Sequence, residues 1–456
     1  MKPAFAAFFL TFVSLFFLLN CGNEPDDSSG RQAVPSENTS TSSAQAGQII
    51  PSYNSHLDTV FMHAVPDIKI QEPLLQSLPD DTQVFLLVPD YKEKDTQKAL
   101  KDMDVDRRNI TPLVYNENAM WRGLWAQDIF EVLATDTERE IVLPDFFIFE
   151  DYYLWYPAEF EPTQETVVFS AYLKKKGYAV DILNGYIEGG NITSDRFNDR
   201  DILMVGADNL IDKEYFREYH FLLDDGIRMS KDSFFLHDKK REETIREFGK
   251  TFGADTVLVL GDRQYRTHMF HLDQSFLLIG PGEAVVMDLS HLTDQDIDEI
   301  AADFAANFSY MREKREEWWK SGLLSDEENV FLEKFSELAD KNEVHFILHR
   351  SREMLEEIHS ALKEQGYTIH RFRQDPYQNL YYQSYANSIV YTDRKTDRKT
   401  VLLPIFPGTE GVYDREDELN RAAIHFFETL GLEVIPVINY TWAAGGNNNC
   451  LINIFR

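Results

Sequence analysis

Cysteine is almost absent from this chain: two among 456 residues, Cys21 and Cys450, too few for a disulfide framework. Cys21 follows an apolar N-terminal stretch and is accounted for by export, so after processing Cys450 has no partner within the chain. It is then either inert packing or a nucleophile. The run around it, Gly445-Gly446-Asn447-Asn448-Asn449-Cys450, is polar and rich in Gly and Asn, a poor place to bury an inert thiol. That favours the nucleophile. Positive charge is scarce as well. With 45 Lys and Arg against 77 Asp and Glu the formal charge is −32, which argues against a nucleic-acid partner and favours cationic ligands, basic peptides or metal ions. Solubility is the plainer account of the same excess, because exposed charges are screened beyond roughly 8 Å at physiological salt.

The apolar run from Ala4 to Leu19 is too short to span a bilayer comfortably and stands where a signal peptide belongs. It ends in Leu18-Leu19-Asn20-Cys21-Gly22, which resembles a bacterial lipoprotein lipobox. The resemblance implies that Cys21 is lipid-modified and becomes the first mature residue. Asn20 departs from the small residue expected there and Lys2 is a weak basic flank, so secretory cleavage and an uncleaved anchor stay open. Each of these takes the chain out of the cytoplasm. From Gly22 to about Ile50 there is almost no large apolar residue, so burial cannot offset chain entropy. The expected organisation is a signal peptide over 1–20, a flexible tether over 21–50 and a folded domain over 51–456. The expected location is the bacterial cell envelope, lipid-anchored, with secretion as the alternative.

Within the folded region a single pattern recurs: an amphipathic helix, a glycine at its end, then a strand. It runs through Ala171–Val180 with Gly177, Ala361–Ile369 with Gly366, and Phe426–Ile435 with Gly431. A fourth copy passes through Gly253 into Thr256–Leu260, and a looser one runs from near Ala99 to Val114. Glycine suits the left-handed residue that stops a helix, and the β-branched and aromatic residues after it favour a strand. Each copy is followed by a polar loop and another apolar strand: Ile141–Leu143, Ile202–Val205, Phe276–Ile279, Ser388–Tyr391 and Leu451–Ile454. Helix-strand-loop-strand units cannot cover their own apolar faces singly. Five of them predict a closed, pseudo-fivefold α/β propeller.

The loops hold the reactive residue types. Trp125-Ala126-Gln127-Asp128 lies in the first, Glu188-Gly189-Gly190-Asn191 in the second, His271-Leu272-Asp273-Gln274 in the third, and the Cys450 run in the fifth. A lone His-x-Asp is more often a surface pair, and Glu-Gly-Gly-Asn alone reads as a turn. Recurrence at the same point of successive repeats is what raises them. If equivalent loops converge at one end of the axis, they form one pocket.

These residues resemble the guanidine-modifying enzyme superfamily, the pentein fold, and within it the catalytic domain of the protein-arginine deiminases. The likeness covers about residues 80–456. It rests on Trp125, Gln127 and Asp128; on His271, Asp273 and Phe276; on Gly190-Asn191 ahead of an Ile-Leu strand; and on Gly431-Leu432, Ile438-Asn439 and Cys450 with Asn453. It implies Asp128, His271, Asp273 and Cys450 as the catalytic set, with Trp125, Glu188 and Asn191 at the substrate. It implies no cofactor for the chemistry, and raises calcium at Gln127 and Glu131. The family's His before the nucleophile is Asn449 here, and its acidic residue after His-x-Asp is Gln274. Glu188-Gly189-Gly190 also resembles the agmatine and arginine deiminases, which keeps small guanidino compounds as the alternative. The likeness to the protein-modifying branch makes arginine-containing peptides or proteins the expected substrate, peptidyl-arginine becoming peptidyl-citrulline plus ammonia, with the membrane as a further partner through the anchor. Amidino transfer is a further alternative.

The chemistry fits those residues. A guanidinium is planar, cationic and resonance-stabilised, so attack on its carbon calls for carboxylates that fix it bidentately and a soft nucleophile aimed at its face. Asp128 and Asp273 suit the first task and Cys450 the second. A cysteine titrates near 8.5 and reacts as thiolate, so the bound cation or His271 must stabilise the anion. His271 then serves departing ammonia and the hydrolytic water. Trp125 is either a stacking platform or a core aromatic; Glu188 either reaches substrate or satisfies turn amides. His268 and His349-Arg350, the latter expected at a strand end, read as structural. Two readings from other classes remain. A cysteine peptidase usually sets its nucleophile at a helix N-terminus, whereas Cys450 enters a terminal strand; a catalytically silent binding lipoprotein would keep the fold alone.

Overall fold

The helix stops anticipated at four glycines are present in the computed structural model: φ is +91° at Gly177, +59° at Gly253, +91° at Gly366 and +82° at Gly431. At each, the next residue's N–H reaches back five positions to a carbonyl of the last turn, as from Tyr178 to Leu173 (3.2 Å) and Tyr367 to Leu362 (3.1 Å). That bond satisfies a carbonyl the helix end would leave open. The structure describes residues 48–49, 51, 53, 56–64, 68–105, 109–115, 130–134, 139–146, 164–187, 189–210, 238–261, 271–320, 341–380, 383–406, 416–439, 448–449 and 451–455.

Among these residues seventeen strands form five sheets. One holds β1 (Gln48–Ile49), β5 (Glu131–Ala134), β6 (Arg139–Phe146) and β7 (Ala179–Tyr186). The next three hold β8 (Ile192–Phe197), β9 (Arg200–Gly206) and β10 (Thr256–Leu260); β11 (Phe276–Gly280), β12 (Glu283–Asp288) and β13 (Thr368–Arg373); β14 (Ile389–Thr392), β15 (Lys399–Ile405) and β16 (Glu433–Ile438). The last joins the two ends of the chain: β17 (Ile452–Phe455) lies against β2 (Thr59–His63), followed by β3 (Gln83–Pro89) and β4 (Ile110–Tyr115).

All five share one connectivity. An inner strand, β5, β8, β11, β14 or β17, pairs antiparallel with the next, and that one pairs parallel with a third. Parallel partners need a crossover. It is supplied by helix α3 (Gln164–Lys175), α4 (Asp238–Thr251), the pair α5 (Asp294–Lys320) and α6 (Lys341–Glu364), or α7 (Glu416–Thr429); the terminal sheet uses the short α1 (Glu72–Ser77) ahead of β3 and α2 (Glu93–Asp102) ahead of β4. Burial drops at the third strand of three sheets, β10, β13 and β16. All of Phe276–Gly280 in β11 is buried, whereas β13 and β16 keep one buried residue each. A strand buried on both faces reads as a continuous apolar run, and Phe-Leu-Leu-Ile does.

Three expectations need correction. The helix-strand-loop-strand unit straddles two sheets, because its helix and first strand complete one sheet while its loop and second strand open the next. In the first two units the strands at Ile141 and Ile202 are second strands; the inner strands β5 and β8 precede them. β8, Ile-Thr-Ser-Asp-Arg-Phe, lacks an apolar run because Asp195 is buried within it, accepting from Tyr53 Oη and from the Gly282 N–H (2.9 Å). Finally, His349-Arg350 lie inside helix α6, not at a strand end; Gln48 and Ile49 pair with β5.

Candidate active site

The residues just ahead of β11 make one short 3₁₀ turn, Leu272–Gln274, with His271 extended at its head (φ −81°, ψ 137°). The turn closes through Gln274 N–H to His271 O (3.1 Å) and Ser275 N–H to Leu272 O (2.8 Å). The loop ahead of β8 braces it. Asn191 Oδ1 accepts from the Leu272 N–H (3.1 Å), and a methyl group on Gly190 would lie 2.3 Å from His271 Nδ1. Only glycine lets the two loops approach so closely. Asn191 is fully buried, and its side-chain oxygen holds the His271 turn.

The loop ahead of β17 meets the same turn. Asn449 Nδ2 donates to Asp273 Oδ2 (3.1 Å), and the Asn449 N–H donates to Asn387 Oδ1 (2.9 Å) in the loop ahead of β14. Asn439, at the end of β16, donates through Nδ2 to Asn448 Oδ1 (3.0 Å). Asn453 Nδ2 donates to the carbonyl of Phe130, the residue ahead of β5. Entrances to all five inner strands are thereby joined by side-chain amides, and the expected convergence of loops is realised among the described residues. One cavity is lined from all five: Glu131 and Val132, Gly190 with Ile192 and Thr193, Asp273 with Phe276, Ser388, and Asn449 with Ile452.

Asp273 is brought together with Asn449, the residue before Cys450, and His271 heads the same turn. Trp125, Gln127, Asp128, Glu188, Cys450 and Cys21 lie outside the described residues, as does His268. Asn387 and Ser384 are positions that sequence reasoning passed over. The available signal was an Asn one to three residues ahead of Ile192, Ile389 and Ile452 alike. Calcium fares less well. Glu131 is 9% exposed and lines the cavity, but among the described residues no group of three or more His, Cys, Asp or Glu side chains stands close enough to hold one ion. Calcium takes six to eight oxygen ligands, so Glu131 by itself does not fit it, and no step below runs through a metal.

A second buried histidine was also missed. His63 ends β2, one residue beyond the Met62–Ile452 pair that starts the pairing with β17. Its ring nitrogens have no hydrogen-bond partner among the described residues, and burial pushes its pKa down to about 4. Among the described residues no helix is long and apolar enough to cross a membrane.

No known protein-family profile matches the sequence, and no curated protein matches it. Solved structures do. A protein assigned as an agmatine deiminase superposes over 90% of this chain and 95% of its own, with 13% identity and a TM-score of 0.54. A Cys-to-Ser variant of the C. jejuni agmatine deiminase with substrate bound covers 92% of this chain and 99% of its own, at 12% identity and a TM-score of 0.53. The agmatine deiminase of Enterococcus faecalis gives 90%, 95%, 12% and 0.52. The chain has their fold. It is a mixed α/β fold, and at such identities the likeness speaks to the fold alone.

Proposed function

We propose that this chain is a hydrolase that deiminates a guanidinium through Cys450. The observation that carries the reading is the meeting of Asp273 and Asn449 at one cavity lined from five sheets, with His271 at the head of the turn that holds Asp273. One residue past Asn449 the chain reaches Cys450. In this reading Asp273 and Asp128 grip the guanidinium edge, which orients its carbon toward the Cys450 sulfur. The sulfur bonds to that carbon; the C–N bond then breaks, and ammonia leaves with a proton from His271. His271 next takes a proton from water, whose oxygen bonds to the same carbon and displaces the sulfur. The products are a ureido group and ammonia. Closure of the five sheets into a pseudo-fivefold propeller accounts for the shared cavity and for the joining of the two chain ends in one sheet.

For the substrate, a small guanidino compound is favoured by the fold neighbours, which are agmatine deiminases over nearly their whole length. Peptidyl-arginine is the second reading, favoured by the formal charge of −32 and by an exported, tethered chain. The test compares kcat/KM for agmatine, free arginine and a blocked arginine amide, with and without calcium. A tenfold preference, about 1.4 kcal/mol of transition-state discrimination, assigns the substrate; no ureido product from any of the three refutes deimination. We also propose that Cys21 carries a lipid anchor in the cell envelope, which requires palmitate labelling of the wild type that is lost in Cys21→Ser.

A further inference from the structure

The loop entering β14 contains no His, Cys, Asp, Glu, Lys or Arg from Gln383 to Ser388, so it brings no acid, base or thiolate to the cavity. Yet every one of these residues is buried, and the loop bonds into the two neighbours that do carry reactive groups. Ser384 Oγ donates to the carbonyl of Gln274 (2.6 Å), the residue after Asp273. Asn387 Oδ1 accepts from the Asn449 N–H (2.9 Å), and the Asn449 side chain returns to Asp273 Oδ2 (3.1 Å). Together these contacts close a ring through three loops. The ring is fastened to the body by Tyr385, whose hydroxyl donates to Asn420 Oδ1 (2.9 Å) and accepts from Gln378 Nε2 (3.1 Å).

We infer that this ring positions the nucleophile segment, with Asn387 and Ser384 as positioning residues and Asn449, next to Cys450 in the chain, as the link that couples that segment to Asp273. The inference rests on deimination at Cys450. A hydrogen bond contributes only modestly to net stability. Aim is far more sensitive, since a displacement of about 1 Å at a reacting group costs on the order of 10²-fold in rate. A loop that only filled space would show the first effect and not the second. Because Asn449 touches the carboxylate and precedes the thiol, slackening Asn387 should spoil the aim of both while removing neither group.

The test uses the full-length chain as wild type, Asn387→Ala, Asn387→Asp and Ser384→Ala. Cys450 alkylation by iodoacetamide is followed against pH without substrate, by mass spectrometry of the Cys450 peptide. Turnover is split into kcat and KM. The expected result for Asn387→Ala is a kcat lowered by about 10²-fold with KM within about threefold, together with a displaced alkylation profile. Asn387→Asp keeps the acceptor oxygen and should recover about tenfold of that loss. Ser384→Ala should move the same readouts less. An alkylation profile unchanged in Asn387→Ala overturns the inference, whether kcat is also unchanged or falls along with the unfolding temperature. Should the wild type turn over no guanidino compound, the proposed function fails, and the alkylation profiles still decide the ring by the same criterion.

Discussion

His271 and His63 are equally buried, each 5% exposed, and each stands near an end of the segment that enters β17. Their surroundings differ. His271 heads a turn braced by the Asn191 side chain, closed over by Gly190, and followed two residues later by Asp273, which Asn449 holds. His63 shares a strand face with Phe61 and pairs in register with Leu87, both members of an apolar cluster with Leu113 and Phe130. A buried polar group without partners costs about 1–3 kcal/mol relative to one that is satisfied. Burial therefore does not mark a working histidine; what is arranged around it does.

The comparison breaks first at the reaction. His271→Ala should lower kcat by about 10³-fold, within the range that positioned acids and bases supply. Cys450→Ala should abolish turnover, because nucleophile and acid act as a unit. His63→Leu should stay within about threefold of wild type at pH 7.5, since that imidazole bonds to nothing among the described residues. Steady-state assays with circular dichroism to verify folding decide it. A His63→Leu enzyme as damaged as His271→Ala would put His63 in the site and erase the distinction drawn above.

Gly190→Ala sharpens the same contrast through the surroundings alone. The added methyl group would sit 2.3 Å from His271 Nδ1, far inside contact distance, so the ring must move. The expected loss in kcat is about 10²-fold, the usual consequence of misplacing a reacting group by roughly 1 Å. Proton NMR of the His271 ring should shift as well. Wild-type kcat in Gly190→Ala would mean that the braced position of His271 does not matter to the chemistry.

How much of this was legible follows from what each residue does locally. Gly177, Gly253, Gly366 and Gly431 announce themselves because a left-handed helix stop is a property of one residue and its neighbours. His271 and Asp273 stand out because few residue types can do acid-base work or grip a cation. Asn387 is silent because amides are common in turns, and its partner Asn449 lies in another sheet's loop. β8 hides for a related reason: Asp195 makes its stretch read as a loop, and only Tyr53 and the Gly282 N–H from distant segments let that carboxylate sit inside a strand. His63 looks like a strand-end polar residue until β17, from the other end of the chain, is laid beside it.

The smallest effect concerns stability, and it has a sign that His271 does not dictate. Burial pushes His63 down to about 4 from an ordinary 6.5, so the folded protein keeps the ring neutral while the unfolded chain protonates it. Folding stability from this group is complete above pH 6.5, falls as pH drops toward 4, and changes no further below it. At pH 5 the loss is about 2 kcal/mol, from 1.36 kcal/mol per pH unit over the interval. His63→Leu removes the proton site together with ring nitrogens that have no partner among the described residues. Its stability at pH 7.5 should equal or exceed that of the wild type by up to about 1 kcal/mol, because replacing an unpartnered polar group with an apolar one is neutral or favourable. Urea midpoints of both proteins at pH 7.5, 6 and 5 measure the slope. Parallel slopes would show that His63 protonates as readily in the folded chain as in the unfolded one, and that its apolar surroundings do not hold it neutral.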